Sequence, residues 1–181
     1  MKNSIYLLTA LALAGCGDKA TNSRPEGLLA GTDFEGVAGW NGDAPTPLSL
    51  TREKAHSGMY SMRVGPEVEY ASGFIGTLGK LNSTRIGKIQ VKGWVYAPGG
   101  ETTAAIVTQI VDPATPNAKP VLWEALPLDK AVKTRNEWVE VDKTVVLPAN
   151  VTPGMKLYVY LWRGPAPAVA YIDDMQILKA E

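Results

Sequence analysis

The sequence predicts an all-β protein built as a single antiparallel β-sandwich. Three observations carry this. Apolar and polar residues alternate with period two in short runs along most of the chain. Eighteen glycines and thirteen prolines interrupt those runs, and several short strands separated by regular turn signals are the pattern of sandwiches and barrels. Helical periodicity with capping residues is nearly absent, and neither an internal repeat nor a second domain is visible.

The chain opens on the basic Met1-Lys2, runs through an apolar stretch at 5–14, and reaches Leu13-Ala14-Gly15-Cys16. A charged start, a short apolar core and small residues at its end make a secretory signal. Ten apolar residues are too few for a spanning helix, which needs about 20. The four-residue site resembles the lipobox of bacterial lipoproteins, whose cysteine is lipidated and becomes the first mature residue. The resemblance implies that residues 1–15 are a lipoprotein signal peptide and that Cys16 carries the lipid. It places the protein at the bacterial cell envelope, on the periplasmic or cell-surface side, with lipid as its only membrane attachment. Residues 16–27 are polar, lack apolar periodicity and read as a flexible tether. The domain is 28–181, long enough for one core. With its single cysteine lipidated, it has no disulfide to rely on.

Strands are expected at 49–52, 60–64, 71–77, 88–96, 103–111, 121–126, 138–147, 156–162 and 170–178. Turn residues fill the gaps: Pro98-Gly99-Gly100, Asp112-Pro113 and Pro153-Gly154. Successive side chains of a strand point to opposite faces. In 89–96, Ile89, Val91, Gly93 and Val95 take one face, and Gln90, Lys92, Trp94 and Tyr96 the other. In 157–162, Leu157, Val159 and Leu161 alternate with Tyr158, Tyr160 and Trp162. The aliphatic faces are expected to form the core. The polar and aromatic faces then suit a surface that binds something flat, although the reverse assignment, aromatics filling the core, satisfies the same alternation.

Eighteen basic and eighteen acidic residues cancel. Such a chain lacks the footprint of nucleic-acid binding or of a polybasic membrane patch, and it accommodates a neutral ligand. Aromatic rings with a few polar groups are what a sugar site requires, the ring stacking on a pyranose and the polar groups reading hydroxyls. Alternation selects Trp94, Tyr96, Tyr158, Tyr160 and Trp162 as candidate ligand-binding residues, and Trp123 joins them from a proline-flanked stretch. Gln90 and Arg163, with Gln109 and Glu124, are candidate hydrogen-bonding partners.

Several motifs recur in a telling order: Asp33-Phe34-Glu35 and then Trp40; His56-Ser57-Gly58-Met59-Tyr60-Ser61; Val91-Lys92-Gly93-Trp94-Val95-Tyr96; Glu137-Trp138-Val139; and Tyr171-Ile172-Asp173-Asp174. This order, over 28–179, resembles the carbohydrate-binding modules of the CenC type (the family 4/9/22 group), which are galactose-binding-like jelly rolls. The resemblance implies a jelly roll that binds polysaccharide on a concave sheet face or at a loop end. It implies core positions for Trp40 and Trp138. It also implies a structural calcium joining the N-terminal strand to the last strand, with Glu35 and Asp173 as side-chain ligands and backbone oxygens from near Asp33 and from the 54–57 turn. Calcium takes six to eight oxygen ligands, which carboxylates and carbonyls provide.

Catalysis is not expected. His56 is the only histidine, so neither a histidine-rich zinc site nor an evident Ser-His-Asp arrangement is in the sequence. Asp173 and Asp174 point to opposite faces if their strand runs on regularly, and then cannot share one site. The expected function is non-catalytic polysaccharide binding by a membrane-anchored lipoprotein. The alternative is an envelope structural or protein-interaction lipoprotein of the same fold, with a flat apolar patch in place of a groove.

Overall fold

The computed structural model describes residues 24–36, 40, 47–99 and 102–181. Cys16, the signal segment and most of the tether lie outside the described residues. Ten strands and two single helical turns follow one another: β1 Leu28–Thr32, β2 Leu50–Thr51, β3 Ser61–Val64, β4 Phe74–Thr77, α1 Leu78–Leu81, β5 Lys88–Tyr96, β6 Ala105–Val111, β7 Leu122–Pro127, α2 Leu128–Ala131, β8 Trp138–Val146, β9 Lys156–Trp162 and β10 Ala170–Ala180.

The strands form two antiparallel sheets that face each other as a sandwich. The six-stranded sheet runs β2-β3-β10-β5-β8, and the four-stranded sheet runs β4-β9-β6-β7. The long β10 takes two partners in succession along one edge. Its start, Ala170–Ile172, pairs with β3, and its later part, from Met175 to Leu178, pairs with β1. All nine expected strands are present. The one missed is β1, whose sequence LLAGT has no clean alternation and which is only partly covered along its length.

Strand faces follow the alternation. Ile89, Val91 and Val95 of β5 and Leu157, Val159 and Leu161 of β9 are all buried. Ile106 and Ile110 of β6 and Ile172 and Ile177 of β10 join them in one continuous core. The polar and aromatic residues of β5 and β9 therefore face outward, and the reverse assignment is excluded. Trp40 is buried as expected, edge-on to Phe34 and tilted against Phe74. Trp138 departs from expectation. It pairs with Tyr96, so it shares the outer face of the six-stranded sheet and is only half-buried.

The last strand also departs from regular geometry. Asp173 faces Trp94 while Gln176 faces Lys92, so β10 carries one extra residue between these pairs. Asp174 takes a left-handed conformation there, with φ 47°. This is a β-bulge, which re-aims side chains next to it. As a result Asp173 and Asp174 do not diverge. Both reach the 56–57 turn.

Candidate functional site

The outer face of the four-stranded sheet is a grid of paired rows. Antiparallel pairing puts Trp162 beside Ala105 and Pro127, Tyr160 beside Val107 and Ala125, and Tyr158 beside Gln109 and Trp123. On the other flank Ile75 lies beside Tyr158, and Tyr70 bridges to Trp162 just before β4. Five rings thus stand on one surface. Trp123 leans edge-on to Trp162 at 6.3 Å between centroids, and Val107, in the row between them, is buried. Tyr70 lies nearly parallel to Trp162 at 6.4 Å and edge-on to Tyr160 at 6.0 Å.

Two hollows cross this face. One, of about 380 Å³, lies between residues 70–75 and the rings of Tyr158 and Tyr160. The other, of about 390 Å³, continues past Tyr158 to Asp112, Pro116 and Lys156. They share Gln109 and Tyr158, so they form one groove. It follows β9 from Tyr160 to Lys156, about 13 Å at the rise of a strand. Its floor depends on Gly73, where a β-carbon would collide with the carbonyl of Val159 and the Cβ of Tyr160.

The polar groups of the groove are ordered by local bonds. The Tyr160 hydroxyl donates to Gln109 Oε1 at 3.1 Å, leaving the Gln109 amide nitrogen free to donate. Trp162 Nε1 donates to Glu69 Oε1 at 3.3 Å. The Glu69 carboxylate raises the pKa of the Tyr70 hydroxyl, and burial raises that of Tyr160. Both phenols therefore stay protonated at neutral pH and serve as donors. Half of the Trp123 surface and more than half of that of Tyr70 are open to solvent, which leaves aromatic faces free for a ligand.

The candidate ligand residues do not all meet. Trp123, Tyr158, Tyr160 and Trp162 share the groove face. Gln90, Trp94 and Tyr96 lie on β5, on the outer face of the opposite sheet, and a segment from residues 52–58 lies across Trp94 and Tyr96. His56 stacks on Trp94 at 3.9 Å with the rings 11° from parallel, and Lys54 sits 5.1 Å over the Tyr96 ring. The Tyr171 hydroxyl donates to Glu53, and burial with this carboxylate pushes its pKa up to about 12. Gln90 donates to Asp142 at 2.8 Å. Arg163 spends its guanidinium on the carbonyls of Gly65 and Pro66, bracing the 65–69 turn beside the groove. The sequence carries no signal for Tyr70, Gly73 and Ile75 as groove residues. They lie at the edge of a short strand whose alternation gives no aromatic signal.

A smaller hollow of about 100 Å³ opens between 78–86 and 151–153 at the end of the sandwich, with no aromatic ring in its wall. No helix among the described residues is long and apolar enough to cross a membrane.

The residues implied as calcium ligands differ in exposure. Asp33 and Glu35 are exposed while Asp173 is fully buried. No group of three histidine, cysteine or acidic side chains converges among the described residues. Asp33 Oδ1 accepts from the Glu35 amide at 3.1 Å. Glu35 and Asp173 accept backbone N–H groups of the 56–60 turn. The contacts these two carboxylates make with the turn are thus to its N–H groups. Desolvation outweighs the amide bonds to Asp173 and pushes its pKa up to about 6.

No family model and no curated protein matches the chain. Solved structures do. The xylan-binding domain CBM22-1 of Paenibacillus barcinonensis Xyn10C superposes with a TM-score of 0.53 at 20% identity, over 88% of this chain and 100% of that one. The C-terminal family 22 carbohydrate-binding module of Clostridium thermocellum Xyn10B gives 0.53 at 19%, over 87% and 98%. A family 16 carbohydrate-binding module gives 0.52 at 17%, over 83% and 99%. The chain has the jelly-roll sandwich fold of these modules. At such identities the likeness fixes the fold, and function has to be argued from the groove itself.

Proposed function

We propose that this protein binds a polysaccharide, without breaking it, in the groove across β4, β9 and β6. The observation that carries the reading is the row Tyr158, Tyr160 and Trp162 on one strand face, with Gln109 and the Tyr70 ring beside it. Rings bordering an elongated cleft offer stacking surfaces to consecutive sugars, and the hydroxyl and amide groups between them offer directional bonds. The structurally similar modules support the reading, and xylan, named for several of them, is the first polymer to try.

Binding without chemistry is supported by the acids bordering the groove. Glu69 stands by Trp162 beyond one end and Asp112 by Lys156 at the other. Their separation of about 20 Å along β9 is too great for a glycosidase pair, which works at about 5–10 Å. His56 lies on the opposite sheet, stacked on Trp94.

The test is electrophoresis of the purified protein through gels containing xylan, mixed-linkage glucan, mannan or pectin. Retardation by at least one neutral polymer is expected. A folded protein that runs unretarded through all of them contradicts the proposal. We further infer from the lipobox-like site that Cys16 tethers the module to an envelope membrane. Cys16→Ser should move the protein from the membrane to the soluble fraction, and unchanged partitioning overturns the anchor.

A further inference from the structure

The 52–60 segment covers Trp94 and Tyr96 on the outer face of the six-stranded sheet, and three carboxylates fasten it. Asp173 Oδ2 accepts the amides of His56 at 2.7 Å and Ser57 at 3.2 Å, and its Oδ1 accepts that of Asp174 at 2.7 Å. Glu35 Oε1 accepts the amides of Met59 at 2.6 Å and Tyr60 at 2.8 Å. The bulge turns Asp174 toward the same segment, where it takes the Ser57 hydroxyl at 2.7 Å and faces His56 Nδ1 at 2.6 Å. The Lys54 carbonyl accepts the Ser61 hydroxyl at 2.6 Å. Gly58, with φ +56°, brings the backbone so near Glu35 that a β-carbon would overlap Glu35 Oε1. The motif residues His56-Ser57-Gly58 therefore form a seat for carboxylates.

An N–H group presents the positive end of its dipole to the oxygen it meets, as a cation does. Here amides occupy both Asp173 oxygens and Glu35 Oε1, and the Lys54 carbonyl serves Ser61. A calcium ion would need several of these oxygens at once, among the six to eight it takes. We propose that backbone amides do in this chain the fastening that a metal would otherwise do, so the domain holds its 52–60 segment without calcium. Hydrogen bonds to an ionised acceptor are among the stronger ones, which suits them to the role. The proposal stands whether or not the groove binds sugar.

The test is thermal unfolding of the purified protein in EDTA and in millimolar calcium, for wild type, Glu35→Gln and Glu35→Ala. Glutamine keeps an acceptor oxygen for Met59 and Tyr60 but is a poorer calcium ligand. The expected result is one midpoint for wild type in both buffers. Glu35→Gln, whose neutral oxygen accepts more weakly, should lie between wild type and Glu35→Ala, and Glu35→Ala should fall by about 2–6 °C. A saturable rise of the wild-type midpoint with calcium, absent in Glu35→Gln, overturns the proposal. So does Glu35→Gln falling as far as alanine with no calcium effect. If the alanine variant does not fold, the wild-type and glutamine curves in the two buffers decide alone.

Discussion

Asp173 shows how one residue carries several constraints. It sits on the outer face of β10 opposite Trp94, yet it is fully buried because the 52–60 segment covers it. Three amides stabilise its charged form, but loss of water costs more, and its pKa rises from 3.8 to about 6. The sign of the resulting pH dependence follows. Between pH 3.8 and about 6 the folded protein binds more protons at this site than the unfolded chain does. Stability from this group is therefore greatest in acid, declines as pH rises through that window and is level above it. Asp173→Asn cannot titrate. The unfolding free energy of wild type minus that of Asp173→Asn should fall between pH 4 and pH 6.5, and a difference that stays constant or rises contradicts the assignment. The sequence placed Asp173 and Asp174 on opposite faces because a regular strand alternates. A single left-handed residue at Asp174 undoes that rule, and nothing in the residue types announces it.

At the scale of elements, β5 and β9 were read correctly because each is a long strand with one buried face, where period-two alternation is strongest. β1 was not, since a five-residue strand containing glycine has too few side chains to show a period. Trp138 was assigned to the core by its place in a motif, but its pairing with Tyr96 fixes it on the outer face. The candidate site was legible strand by strand and not as a whole. Alternation separates the two faces of one strand, but it cannot tell which outer faces belong to the same sheet. That depends on pairing between β9, β6 and β4, which are distant in sequence. Hence Trp94 and Tyr96 were grouped with Tyr158, Tyr160 and Trp162 although a whole core lies between them. The contribution of Tyr70 was hidden for the same reason, since it reaches the groove only through its bridge to Trp162.

The whole molecule is a sandwich with aromatic rings on both outer faces, and the difference between the faces is coverage. On the six-stranded sheet the 52–60 segment stacks His56 on Trp94 and sets Lys54 over Tyr96, covering both rings. On the four-stranded sheet no segment among the described residues crosses, and the rings border an open groove. The central claim is that the open face is the binding face. The measurement that tests it most directly is calorimetric titration of the polysaccharide that retards the protein best into wild type, Tyr158→Ala and Trp94→Ala, each first shown to be folded. The account predicts that Tyr158→Ala weakens binding at least about tenfold, a loss of about 1.4 kcal/mol, while Trp94→Ala stays within about twofold. Binding that survives Tyr158→Ala and is lost in a folded Trp94→Ala would place the site on the covered sheet and contradict the account.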